Sequence, residues 1–139
     1  MPDTLFYVLP GHSRPLLNKF YQQHKSSMRA GGDAQVWAAK RAEIVGGLCL
    51  TAVADGHWLT GLFVAPAMRG QAIASRLLAE VRAQTVGPVW LFCHPDLSDF
   101  YQRAGYELTE VLPEALTTRL ERYRQTKPLV ALSNAGDQA

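Results

Sequence analysis

Leu62-Phe63-Val64-Ala65-Pro66-Ala67-Met68-Arg69-Gly70-Gln71-Ala72-Ile73-Ala74-Ser75-Arg76-Leu77-Leu78 is the stretch that decides the fold. It opens on the end of an apolar run with strand composition, and Pro66 closes that run. From Arg69 the apolar residues switch to a helical period, with Ile73, Leu77, Leu78 and Val81 on one face. The order is strand, loop, helix. Residues Arg69 to Ala74 are small or expose backbone where the helix begins. A helix start carries unpaired N–H groups and the positive end of the dipole, so a pyrophosphate fits there. Gly70, Ala72 and Ala74 keep bulk away from those donors, and Arg69 adds a positive charge. The same residues also suit an ordinary helix start packed closely on a sheet. Neither GxxxxGK[ST] nor GxGxxG spacing is present, so other phosphate-loop classes are set aside.

On the amino-terminal side, Thr4 to Leu9 reads as a strand closed by Pro10-Gly11. Ser13 is placed to cap a helix carrying Leu16, Leu17, Phe20, Tyr21 and His24, which Gly31-Gly32 ends. Gln35 to Lys40, Glu43 to Val53 and His57 to Val64 read as three antiparallel strands, the last two joined at Asp55-Gly56. On the other side, Gly87-Pro88 stops the helix and Val89 to Cys93 reads as a strand buried on both faces. It should run parallel to the strand before the helix, through a right-handed crossover. Asp96 to Ala104 reads as a short helix, Tyr106 to Val111 as a strand, and Pro113 as the start of a helix with Leu116, Leu120 and Tyr123 on one face. Leu129 to Leu132 completes an α/β fold with a mixed sheet. The expected organisation is one domain over 1–132 and a loose tail over 133–139.

A chain of 139 residues can bury roughly two-thirds of its unfolded surface, enough for one core. With 47% hydrophobic and 19% charged residues it is neither disordered nor a repeat protein. Its 14 basic and 12 acidic residues are scattered without blocks, which argues against a nucleic-acid surface. There is no apolar run long enough for a membrane span and no signal-peptide pattern, so a cytoplasmic location is expected. Cys49 and Cys93 lie in apolar runs and read as reduced core thiols, and the four histidines lack metal-ligand spacing, so no metal is expected. Trp37, Trp58 and Trp90 read as core or pocket wall, and Arg119, Arg122 and Arg124 as a solvated helix face.

Val64-x-Pro66-x-x-Arg69-Gly70-x-Ala72-Ile73-Ala74-x-x-Leu77-Leu78 resembles the acetyl-CoA motif of the GNAT superfamily of N-acetyltransferases, V-x-P-x-x-R-G-x-G-I-G/A-x-x-L-L. Ala72 departs from it, standing where the pattern has glycine; on a helical residue its methyl would be a modest intrusion. Phe100-Tyr101-Gln102-Arg103-Ala104-Gly105-Tyr106 resembles the family's second motif, [LF]-Y-x-x-x-G-[FY]. Together the two cover Val64 to Tyr106. The resemblance implies a single-domain GNAT-like fold: a mixed six- to seven-stranded sheet flanked by helices and splayed between strands four and five. It also implies acetyl-CoA as acetyl donor, with its pantetheine arm between Leu62-Phe63-Val64 and Val89 to Cys93. The pyrophosphate would lie at Arg69, Gly70, Gln71, Ala72, Ile73 and Ala74.

The implied reaction is direct attack of a neutral amine on the thioester, for which an oxyanion donor, an acid and a base are sought. A backbone N–H near Val64 is the expected oxyanion donor. Tyr101 occupies the position from which many members protonate the leaving thiolate; its other reading is a core tyrosine beside Phe100. Many members carry a glutamate on strand four, but His57-Trp58-Leu59-Thr60-Gly61-Leu62 holds no carboxylate. His94 is the preferred substitute base, since an imidazole titrates in the physiological range, ahead of His57. Its other reading is a residue leading into the helix before Pro95-Asp96, and an amine that loses its proton to water needs no base. The expected acceptor is a small-molecule or peptide amine, without nucleic acid or membrane, and an uncovered edge strand would favour a homodimer. A noncatalytic acetyl-CoA sensor and a protein-interaction domain that has lost CoA binding are the competing classes.

Overall fold

The computed structural model describes residues 3–134. The seven strands are β1 (Leu5–Leu9), β2 (Gln35–Lys40), β3 (Ile44–Val53), β4 (Gly56–Val64), β5 (Val89–Cys93), β6 (Glu107–Leu108) and β7 (Val130–Ser133). The helices are α1 (Arg14–Gln23), α2 (Ile73–Gln84), α3 (Ser98–Arg103) and α4 (Glu114–Tyr123). The strands form one mixed sheet in the order β1-β2-β3-β4-β5-β7-β6, with β4 and β5 parallel. The expected α/β class stands, and seven strands is the upper of the two numbers expected. Two compact units divide the chain, one formed by residues up to Thr51 with Leu59–Thr85, the other by Ala52–Trp58 with residues from Val86 on.

In the first unit β2 pairs antiparallel with both β1 and β3. Two successive glycines in β3 let helices approach from opposite faces, as strand alternation requires. A Cβ at Gly47 would run into Leu17 of α1, and one at Gly46 would sit 3.3 Å from the Phe63 carbonyl and 3.4 Å from Ile73 of α2. Leu17, Phe20 and Tyr21 of α1 and Ile73, Leu77, Leu78 and Val81 of α2 are the buried faces. Ser13 stands at the cap position of α1 without a side-chain capping bond. The helix also ends earlier than Gly31-Gly32 implies. Lys25 turns left-handed (φ 55°), and the Tyr21 carbonyl accepts the Ser26 amide, which closes the helix eight residues short of the glycines. Asn18 then straps the following loop to α1 through both polar atoms of its amide, bonded to the Ala30 backbone.

In the second unit β7 pairs antiparallel with β5 and with β6. The strand expected over Tyr106 to Val111 is cut to two residues, because the Thr109 hydroxyl captures the Val111 amide at 3.0 Å and turns the chain away. Ser133, assigned to a loose tail by the sequence, instead ends β7, and Asn134 just after it bonds to Val89, whose amide donates to Asn134 Oδ1 at 2.7 Å. The rest of that tail, 135–139, lies outside the described residues. The reversal before β4 is made by Ala54 and Asp55, while Gly56 opens the strand close against Pro88. Among the described residues no helix is long and apolar enough to cross a membrane.

Candidate functional site

The candidate phosphate-binding segment is one continuous piece of the first unit. β4 ends at Val64, a single 3-10 turn occupies Pro66–Met68, and α2 begins only at Ile73. The sequence places the helix start near Arg69; four intervening residues form a turn instead. Its shape is set by two left-handed residues, Gly70 (φ 85°) and Ala72 (φ 60°). At Gly70 the requirement is conformational, since an added Cβ would meet nothing within 4 Å. Ala72 is therefore the cap residue of α2 and not part of its first turn. The first bond of α2 runs from the Arg76 amide to the Ala72 carbonyl, so the amides of Ile73, Ala74 and Ser75 stand ahead of the ladder.

This conformation corrects the expectation for Ala72. Alanine in the left-handed region carries about 1–2 kcal/mol of strain, whereas glycine carries almost none but loses more chain entropy on folding. The family's glycine is thus a backbone requirement, and the methyl is a conformational cost more than an obstacle to phosphate. Ala72→Gly is expected to stabilise the protein by about 0.5–1 kcal/mol, the strain relieved less the added entropy, and to raise Tm by a few degrees. A fall in Tm would show that residue 72 is not left-handed in solution.

Arg69 pins the turn to the strand it follows. Its Nε donates to the Val64 carbonyl at 3.0 Å, and the guanidinium lies 5.1 Å from the centre of the Phe63 ring. The side chain remains exposed, and its two terminal nitrogens make no hydrogen bond to a described residue. Gln71 turns to Arg41, a residue that sequence reasoning missed. From the turn between β2 and β3, Arg41 donates to Gln71 Oε1 at 2.6 Å and to Thr4 Oγ1 at 2.9 Å, with Met68 Sδ 3.5 Å away. Nothing in the sequence places a residue 30 positions upstream beside this turn. Leu62 and Phe63 are half-buried and Val64 is buried.

A second missed feature lies just before them. Gly61 turns left-handed within β4 (φ 67°), and its carbonyl accepts a 2.6 Å hydrogen bond from the hydroxyl of fully buried Tyr21. An isolated glycine inside a strand run was the available signal.

The second unit holds Tyr101 and His94. Tyr101 projects from α3, is buried, and packs edge-on to Phe100 and Tyr106 at 5.1 and 6.2 Å between ring centres. Burial pushes its phenol well above the ordinary value, and the neighbouring Cys93 thiol and Tyr106 phenol add to that. The hydroxyl makes no hydrogen bond to a described residue. His94 follows β5, and its Nδ1 accepts the Asp96 amide at 3.1 Å, capping the turn that leads into α3. The Asp96 carboxylate is 3.4 Å from the same nitrogen, a contact that needs the hydrogen on Nδ1. In the capping, neutral form the ring hydrogen sits on Nε2, which then donates rather than accepts.

The sequence profile of the GNAT acetyltransferase domain matches residues 32–108, more than half of the chain. The chain belongs to the GNAT family. No curated protein gives a sequence match. Among solved structures, a GNAT-family acetyltransferase from Staphylococcus aureus is similar at TM-score 0.63 and 14% identity, over 94% of this chain and 98% of that one. Escherichia coli ElaA is similar at TM-score 0.62 and 17% identity, over 96% and 99%. Arabidopsis thaliana Naa50, in complex with the bisubstrate analogue CoA-Ac-MVNAL, is similar at TM-score 0.63 and 15% identity, over 94% and 97%. At these identities the likeness is one of fold.

Proposed function

We propose that this protein is an acetyl-CoA-dependent N-acetyltransferase that acts on a primary amine of a small molecule or peptide. The observation that carries the reading is the Arg69–Ala74 segment, where two left-handed residues lead into α2, the amides of Ile73, Ala74 and Ser75 lie outside its hydrogen-bond ladder, and the Arg69 side chain is exposed. The pantetheine arm would run along Leu62-Phe63-Val64. The amine lone pair forms the new C–N bond, the C–S bond breaks, the thiolate takes a proton from Tyr101, and the surplus amine proton passes to water, from which the Tyr101 phenolate is reprotonated. The products are an N-acetylamine and CoA. Free, buried Cys49 and Cys93 suit a reducing cytoplasm, and a homodimer through an outer strand is a subsidiary expectation.

Calorimetry with acetyl-CoA tests binding, and CoA release across an amine panel tests transfer. Arg69→Ala is expected to weaken acetyl-CoA binding by about 1–3 kcal/mol, the range of a charge-assisted hydrogen bond. Unchanged affinity would remove the phosphate assignment. A noncatalytic acetyl-CoA sensor is the second reading, favoured by the capping role of His94, which leaves no lone pair free for a base in the neutral ring. Tight acetyl-CoA binding with no CoA release for any amine would establish it.

A further inference from the structure

The face of α4 that reads as solvated in sequence is engaged. Arg119 lies over the Trp58 indole, 4.7 Å from the ring centre, and its Nη1 donates to the Tyr123 hydroxyl at 3.3 Å. Beneath them Phe92 is 5.6 Å from Trp58 and 6.4 Å from Tyr123. Arg122 approaches the same phenol, 5.7 Å from its ring centre. The three rings and Arg119 are half-buried, and Arg122 is exposed. Neither arginine has a carboxylate partner among the described residues. The Trp58 Nε1 is buried and has no hydrogen-bond acceptor there. The hydrogen bond from Arg119, with the Arg122 charge nearby, holds the Tyr123 phenol below its ordinary value, a sign of net positive potential over these rings.

The cluster also stands on a particular side of β5. Phe92 and Cys93 are successive strand residues, so their side chains point to opposite faces. Tyr101 lies on the Cys93 side, near enough to that thiol for it to push the Tyr101 phenol up. If Tyr101 protonates the departing sulfur, an attacking amine needs the other side of the thioester carbon. The Phe92 side is where the rings and the two guanidiniums are.

We propose that Trp58, Phe92, Tyr123 and Arg119 form the acceptor subsite, and that the acceptor amine carries a carboxylate beside an aromatic or apolar group. The rings take the apolar group edge-on or stacked, and the Arg119 fork takes the carboxylate. Arg122, exposed at the rim, steers the anion towards it. An uncharged or polycationic amine would leave the guanidiniums unanswered and meet like charge. This inference deepens the acetyltransferase reading and rests on it for the chemistry, but the subsite binds its ligand whether or not transfer occurs.

The test is equilibrium binding to the full chain of two compounds that differ by one carboxylate, N-acetylphenylalanine and N-acetylphenethylamine. The acid is expected to bind at least about 10-fold tighter, the value of one charge-assisted hydrogen bond. Arg119→Met should abolish that preference and Arg119→Lys keep part of it, with acetyl-CoA affinity unchanged in both. Equal affinities, binding of neither compound, or an equal loss of both in Arg119→Met would overturn the proposal, the last outcome marking Arg119 as a packing support for Trp58. Loss of the acetyltransferase reading shows differently: the acid still binds preferentially while acetyl-CoA does not bind or no CoA is released.

Discussion

Tyr101→Phe is expected to lower turnover by about 10²- to 10⁴-fold, the contribution of a positioned acid, with acetyl-CoA affinity nearly unchanged. The ring stays, so its edge-on packing against Phe100 and Tyr106 stays with it. The hydroxyl bonds to no described residue, so its removal leaves nothing unsatisfied and Tm should hold within about 2 °C. That separates the proton from the packing more cleanly than sequence allowed, where a buried tyrosine could have served either end. Burial makes Tyr101 a weaker acid than a free phenol. The same dry surroundings also raise the basicity of a departing thiolate, so the driving force for proton transfer is preserved. The measurement is kcat with a competent amine alongside a melting curve. Normal turnover in the variant would give the proton to water and leave Tyr101 as a wall.

Features set by local periodicity were legible in the sequence. Ile73, Leu77, Leu78 and Val81 mark the buried face of α2, and the unbroken apolar run Val89 to Cys93 marks a central strand, because each follows from residues within one element. The turn after β4 was legible as a place but not as a shape. Alanine is not a left-handed residue by preference, so only the glycine of the family pattern hinted that Ala72 sits at φ 60°. What joins distant segments was not legible. The bond from Arg41 to Gln71 and the stacking of Arg119 on Trp58 depend on how separate elements close in space, which no spacing rule encodes. His94 shows a third case, since capping and base roles call for the same imidazole, and the bond from the Asp96 amide to its Nδ1 became visible only in the structure.

Gly61→Ala is expected to destabilise the protein by about 2–5 kcal/mol. The substitution places alanine at φ 67°, a strain of about 1–2 kcal/mol, and its Cβ would lie 2.8 Å from the Tyr21 hydroxyl oxygen. To relieve that contact the hydroxyl must leave the Gly61 carbonyl, which costs about 1–3 kcal/mol for a buried acceptor left unpaired. Tyr21→Phe carries only the second cost and should lose about 1–3 kcal/mol, so the two variants together apportion strain and hydrogen bond. The Tyr21 phenol is held far above its ordinary value, by burial first and then by the Cys49 thiol beside it. Its contribution is therefore complete below pH about 10, where the unfolded phenol begins to ionise, and is lost as pH rises further, since the unfolded chain then binds fewer protons than the native one. Urea denaturation of wild type and both variants at neutral pH and above pH about 10 reads all of this, with Tyr21→Phe expected to show a shallower alkaline loss. A Gly61→Ala variant as stable as wild type would mean that β4 runs straight through residue 61 in solution. The strand would then offer Leu62-Phe63-Val64 on a different face from the one assigned to the pantetheine arm.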